Sequence, residues 1–195
     1  GGTVLLKLPG GGTLLHRTGG FNSNLFFGPG AGSSTATTSL NTAFGPSALA
    51  NLTSGNNNTA LGNSALSGID VGTSNTGLGH NALVLCSGGL NNTAVGDITL
   101  VNLTTGSDNV VLGQSSGGVV TTGSNNIYIG RNVDAASTTE ANTIRIGGVL
   151  AAATFIRGIS TATVTGSAVV VSASGQLGVA TSSARFKESI ADLGD

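Results

Sequence analysis

The chain has 195 residues, of which 33 are glycine, 4% aromatic and 8% charged, and its net charge is −1. Charge so far below the ~25% of ordinary domains excludes the cationic footprint of nucleic-acid binding and leaves little electrostatic steering of any partner. No run approaches the ~20 apolar residues of a membrane-spanning helix, low charge argues against disorder, and the single cysteine, Cys86, excludes an intrachain disulfide framework.

The chain starts at Gly1 with neither Met nor a signal-peptide pattern, which points to a fragment or a processed form. Residues 1–23 hold two apolar pieces, Thr3–Leu8 and Thr13–Leu15, separated by Pro9 and Gly10–Gly12. They predict a pair of short strands leading into the next segment. The glycines lack the Lys and Ser of a phosphate loop.

Residues 24–148 repeat with a period of seventeen. Asn41, Asn58, Asn75, Asn92, Asn109 and Asn126 are each followed four residues later by Gly45, Gly62, Gly79, Gly96, Gly113 and Gly130. Asn24 and Gly28 extend the register backwards, and Thr143 and Gly147 extend it forwards. A fixed short period predicts stacked coils, here at about 4.8 Å spacing. Counting Asn41 as position one, column four is apolar from Phe27 and Phe44 to Ile129 and Ile146, and column two runs Leu25, Thr42, Thr59, Thr76, Thr93, Val110, Ile127, Ile144. Both suit a strand. Column three points to the opposite face and is small in the middle coils (Ala43, Ala60, Gly77, Ala94), which predicts a neighbouring chain packed against it.

The glycine at position five predicts a tight corner with positive φ. A second glycine column, Gly55, Gly72, Gly89, Gly106 and Gly123, marks a second corner. Leu49, Leu66, Leu83 and Leu100 form one more apolar column, and Leu52, Ile69, Cys86, Leu103 and Val120 another. Each coil is therefore expected to carry two or three short strands around a thin core, for which oligomerisation is a common remedy. The Asn column is expected to cap turns and to ladder with itself.

Residues 149–181 lose the register. Thr154–Ile159 reads as a strand, and Ala168–Val171 with Gln176–Ala180 as a hairpin. In residues 182–195, Phe186, Ile190 and Leu193 recur at helical spacing among Arg185, Lys187, Glu188, Asp192 and Asp195, which predicts the start of a helix.

The unit Asn58-Thr-Ala-Leu-Gly62-Asn-Ser-Ala-Leu66 resembles the head repeats of trimeric autotransporter adhesins of the YadA type, and more closely those of bacterial and phage tail-fibre proteins. The stretch from Gly175 to Glu188, GQLGVATSSARFKE, resembles the junction before an intramolecular chaperone of the endosialidase type. That resemblance implies a chaperone that trimerises a fibre and is then released by self-cleavage. It puts the nucleophile on Ser182 and its lysine partner on Lys187, with cleavage of the Thr181–Ser182 bond and Ser183 as the nucleophile one register on. A neutral lysine amine can take a serine proton when its surroundings lower its pKa. Ala184 stands where an arginine is common in that family. The chaperone would lie beyond Asp195, so the pair is expected to be inactive in this chain.

The remaining reactive groups read as structural. Cys86 shares a column with Leu and Ile, the setting of a buried, inert thiol. His16 and His80 have no second ligand at metal spacing, and Asp70, Asp97 and Asp108 share no column. The glycosylation triplets at Asn51, Asn57, Asn91 and Asn102 arise from the repeat itself.

The expected fold is all-β: a parallel β-roll or β-helix of seventeen-residue coils, homotrimeric, with a short C-terminal β region and the start of a helix. The expected role is a structural or adhesive segment of an extracellular fibre, presenting a face to a cell-surface glycan or envelope receptor. Neither cofactor, metal, nucleic acid nor membrane insertion is expected. Two alternatives are a monomeric ice-binding solenoid, from the Thr42, Thr59, Thr76, Thr93 column, and a glycan-processing tailspike fragment. The latter would need paired acids in a cleft, for which Asp134 and Glu140 are the nearest candidates.

Overall fold

The computed structural model describes residues 4–7, 13–18, 24–33, 39–148, 169–171 and 177–179. The predicted strand Thr154–Ile159, the predicted helix start and the Ser182–Lys187 pair lie outside them. Residues 1–154 form one unit and residues 155–195 another. Within the second unit the predicted hairpin is present, β11 (Val169–Val171) pairing antiparallel with β12 (Leu177–Val179).

The first unit is a parallel β-solenoid carrying one ten-stranded sheet. Strands β1 (Val4–Lys7) and β2 (Thr13–Thr18) pair antiparallel, and β2 pairs antiparallel with β3 (Asn24–Phe27). From β3 onwards every pairing is parallel. The strands are β4 (Thr42–Phe44), β5 (Thr59–Leu61), β6 (Thr76–Leu78), β7 (Thr93–Val95), β8 (Val110–Leu112), β9 (Ile127–Ile129) and β10 (Ile144–Ile146). The register is in phase throughout: Thr42 opposes Thr59, and Ala43 opposes Ala60.

Each described coil contributes one named strand, where two or three were expected. Beyond these, only an isolated bridge from Thr73 to Leu90 is found among the described residues. The Leu49, Leu66, Leu83 and Leu100 column, expected to be strand, lies at φ of 50 to 55°. Those leucines sit at left-handed corners, a conformation unusual for a bulky side chain, and they are fully buried. Burial of a large apolar group there offsets the local strain.

The face assignment of the strand is the reverse of that expected. Column three points into the coil's own interior, where Ala43, Ala60, Ala94, Val111 and Tyr128 are buried, and columns two and four point outward. What packs against the small column three is the leucine corner of the same chain, not a neighbouring chain. A Cβ on Gly77 would lie 3.1 Å from Leu66 Cγ. The two walls trade volume. Where column three carries Phe26, the corner of that coil is Gly32, and a Cβ there would lie 2.1 Å from the Phe26 ring. Val111 likewise shares its coil with Gly117, whose Cβ would be 3.6 Å from the Tyr128 ring above it. A close-packed interior demands this complementarity. Ala48, Ala65 and Ala82, with Leu52, Ile69, Cys86, Leu103 and Val120, complete the core.

The two glycine columns have different causes. Gly45, Gly62, Gly79, Gly96, Gly113 and Gly130 have φ between 131 and 139°, outside the reach of most L-residues. The second column does not have positive φ. Instead, a Cβ on Gly55 would meet the Gly72 carbonyl oxygen at 1.9 Å, so stacking distance excludes it.

Candidate functional site

The repeat residues singled out in the sequence are internal and structural. Asn24, Asn41, Asn58, Asn75, Asn92, Asn109 and Asn126 are buried. The Asn41 Oδ1 accepts from the Asn58 main-chain N–H at 2.9 Å and from Asn58 Nδ2 at 3.1 Å. Asn58 Nδ2 also donates to the Gly72 carbonyl at 2.8 Å, across the coil. The same set recurs at Asn75, Asn92, Asn109 and Asn126. The expected self-ladder is present, and the backbone bonds run from coil to coil and across the coil to the second glycine column instead of closing a local Asx-turn. Burying an amide is tolerable because each of its groups is paired.

The outward sheet face presents columns two and four. Its exposed members are Leu25, Phe44, Leu61, Val110, Leu112, Ile129, Ile144 and Ile146, eight of the fourteen exposed large hydrophobics among the described residues. Ile144 stands out, at 67% exposure. The rings of Phe27 and Phe44 stack with centroids 4.6 Å apart and planes 10° from parallel. Thr42, Thr59, Thr76 and Thr93 supply the only polar groups on columns two and four from β3 to β10, and no charge falls on either column. Eight strands at about 4.8 Å and three residues at about 3.3 Å give a face of roughly 380 Å². That is the scale of the largest, often functional, apolar patch on a monomer. Strands β3–β10 of this sheet run parallel, and parallel sheets are ordinarily covered on both faces.

A polar ladder runs along the corner after this face. His80 Nδ1 lies 2.9 Å from Asp97 Oδ1, Gln114 Nε2 donates to Asp97 Oδ2 at 3.4 Å, and Arg131 Nε donates to Gln114 Oε1 at 3.1 Å. These groups are exposed and pair coil to coil.

The last described coils hold an ionic cluster. Glu140 stands where the second glycine column would continue. Its carboxylate accepts from Arg145 Nε at 2.8 Å, Arg145 Nη2 at 2.6 Å, Tyr128 Oη at 2.7 Å and the Ala136 N–H at 2.9 Å. The Arg145 hydrogen bonds hold its carboxyl down at about pH 2, and Tyr128 is pushed up by burial and by the adjacent carboxylate. Glu140 is thus ionised at neutral pH and engaged in packing, the opposite of a protonated general acid. Asp134 Oδ1 accepts from the Val119 and Ala135 main-chain N–H groups at 2.8 and 3.1 Å.

Cys86 is buried in its apolar column, and desolvation raises its thiol pKa, as expected of an inert structural cysteine. Among the described residues no group of three or more His, Cys, Asp or Glu is placed to hold a metal, and no helix is long and apolar enough to cross a membrane. The triplet residues Asn51, Asn57, Asn91 and Asn102 are exposed, and Asn91 and Asn102 donate to the next coil.

Sequence reasoning found the Asn and Gly columns and missed the outward face. The signal was available: glycine at the leucine corner coincides with a larger residue in column three. Comparison with known protein families, with curated protein sequences and with solved structures gives no match.

Proposed function

We propose that the chain is a rod segment of a homotrimeric extracellular fibre, a structural and adhesive protein with no turnover of its own. The observation that carries this reading is the outward apolar ladder on the parallel strands β3–β10. A surface that repeats at every coil is matched at every coil only by another surface of the same pitch, which a second copy of this chain provides. The three-fold state comes from the resemblance to tail-fibre and adhesin repeats. The same resemblance supports a C-terminal chaperone, released by cleavage at Thr181–Ser182 through Ser182 and Lys187, and a receptor of glycan or envelope type. Light scattering on the intact chain tests the trimer. The expected mass is three times the chain's 18.8 kDa, and a stable, folded monomer refutes it.

One observation favours a second reading. Thr42, Thr59, Thr76 and Thr93 do face outward in an even row, as an ice-binding surface requires. Their neighbours across the strand are Phe44, Leu61, Leu78 and Val95 in place of a second threonine rank. Thermal hysteresis by the monomeric chain would establish this reading over the first.

A further inference from the structure

We infer that self-association is concentrated in the C-terminal three coils, where the partner is another copy of this chain and the contact is made by Val110, Leu112, Ile127, Ile129, Ile144 and Ile146. The inference rests on the self-associating rod reading above and adds where along the rod the contact is strong.

The outward face is not uniform. Over β4–β7 column two is threonine, so every apolar outward side chain has a hydroxyl beside it. From β8 onwards column two becomes Val110, Ile127 and Ile144, and both outward columns are aliphatic for three consecutive strands. Hydroxyls within a contact hold water there, whereas strong contacts are contiguous, desolvated clusters ringed by weaker ones. The difference lies in the character of the surface and not in its amount: Phe44 and Leu61, at 51% and 48%, are more exposed than Val110, Leu112 and Ile129, at 36%, 37% and 38%, and Ile144 is the most exposed at 67%.

The terminal strand is also held in a fixed orientation. Arg145 lies between Ile144 and Ile146 and points to the other face, where the two guanidinium bonds to Glu140 tie it down. Side chains alternate across a strand, so fixing Arg145 inward presents both isoleucines outward. Ordering these isoleucines beforehand lowers what association must supply.

Two triple variants of the full chain test this. Val110→Thr/Ile127→Thr/Ile144→Thr continues the threonine column to the end of the rod. Leu61→Thr/Leu78→Thr/Val95→Thr removes as many apolar side chains from the middle. Circular dichroism checks folding, and analytical ultracentrifugation gives the chain concentration at half-assembly. The C-terminal variant is expected to raise that concentration about 100-fold or more, and the middle variant by less than about tenfold. Equal effects, or a larger effect in the middle, overturn the inference while leaving self-association intact. A monomeric parent chain overturns both. Should the C-terminal variant not fold, the opposite change decides. Thr59→Val/Thr76→Val/Thr93→Val extends the dry cluster and should tighten assembly about tenfold, and a folded variant with unchanged assembly refutes the proposal.

Discussion

Replacing Asn75 by alanine is expected to destabilise the solenoid far more than an average polar-to-alanine change. The Asn75 amide donates to the Gly89 carbonyl at 2.7 Å, and its Oδ1 accepts from the Asn92 main-chain N–H at 3.0 Å. Alanine leaves both main-chain groups buried without those partners. Asn92 Nδ2 keeps its bond to the Gly106 carbonyl, and the Asn75 main-chain N–H keeps its bond to Asn58. Two orphaned buried groups at about 1–3 kcal/mol each give a loss of roughly 2–6 kcal/mol. Urea unfolding followed by circular dichroism measures it. With a slope of about 2 kcal/mol/M, the midpoint should fall by roughly 1–3 M. Asn63→Ala is the control, an exposed residue outside the left-handed region whose Oδ1 accepts from the Ser64 hydroxyl at 3.0 Å. If Asn75→Ala shifts the midpoint no further than Asn63→Ala, the ladder is not what couples the coils.

Gly62→Ala should cost more than about 2 kcal/mol, since φ is 136° and the new Cβ would sit 2.5 Å from the Gly79 carbonyl oxygen. Gly88→Ala, whose nearest neighbour would be Val71 at 3.8 Å, should be within about 1 kcal/mol of neutral in the same denaturation assay. Glu140 has its carboxyl lowered from 4.5 to about 2, so it contributes stability above pH 4.5 that is lost as pH falls towards 2. With Arg145 36% exposed, screening holds that contribution to about 1–2 kcal/mol, and Arg145→Met should flatten the acid limb of stability against pH. Cys86→Val should leave stability within about 1.5 kcal/mol, and the parent thiol should react with a thiol reagent only at the rate of unfolding.

The period, the Asn ladder, the position-five corner, the buried columns and the β11–β12 hairpin were all legible in the sequence. Each is a one-dimensional pattern, readable without knowing which way a side chain points. The inward face was not, for a physical reason. Alternation along a three-residue strand separates two faces but does not say which is interior. Bulk is the usual guide, and here bulk misleads: Phe44 and Leu61 lie outside, Ala43 and Ala60 inside. The interior is narrow and is filled from the opposite wall by Leu49 and Leu66, leaving room only for small residues. Apolar periodicity does not distinguish a strand from a buried corner, so the leucine column predicts a strand where the chain makes a corner. Left-handed leucines follow from stacking, which local propensity does not register.

The seventeen-residue register of the hydrogen bonds bears on how the chain comes together. Asn58 bonds to Asn41, Asn75 to Asn58 and Thr143 to Asn126, each across 17 positions. Against 195 residues this is a relative contact order of about 0.09, in the range of helical bundles and well below that of β-sandwiches. Parallel sheets are usually slow to fold because their strands must meet across long loops. Here the loop to be closed is one coil, so each coil can dock on the last as soon as it is synthesised. A β-solenoid of this kind can therefore lengthen without its coils becoming harder to fold.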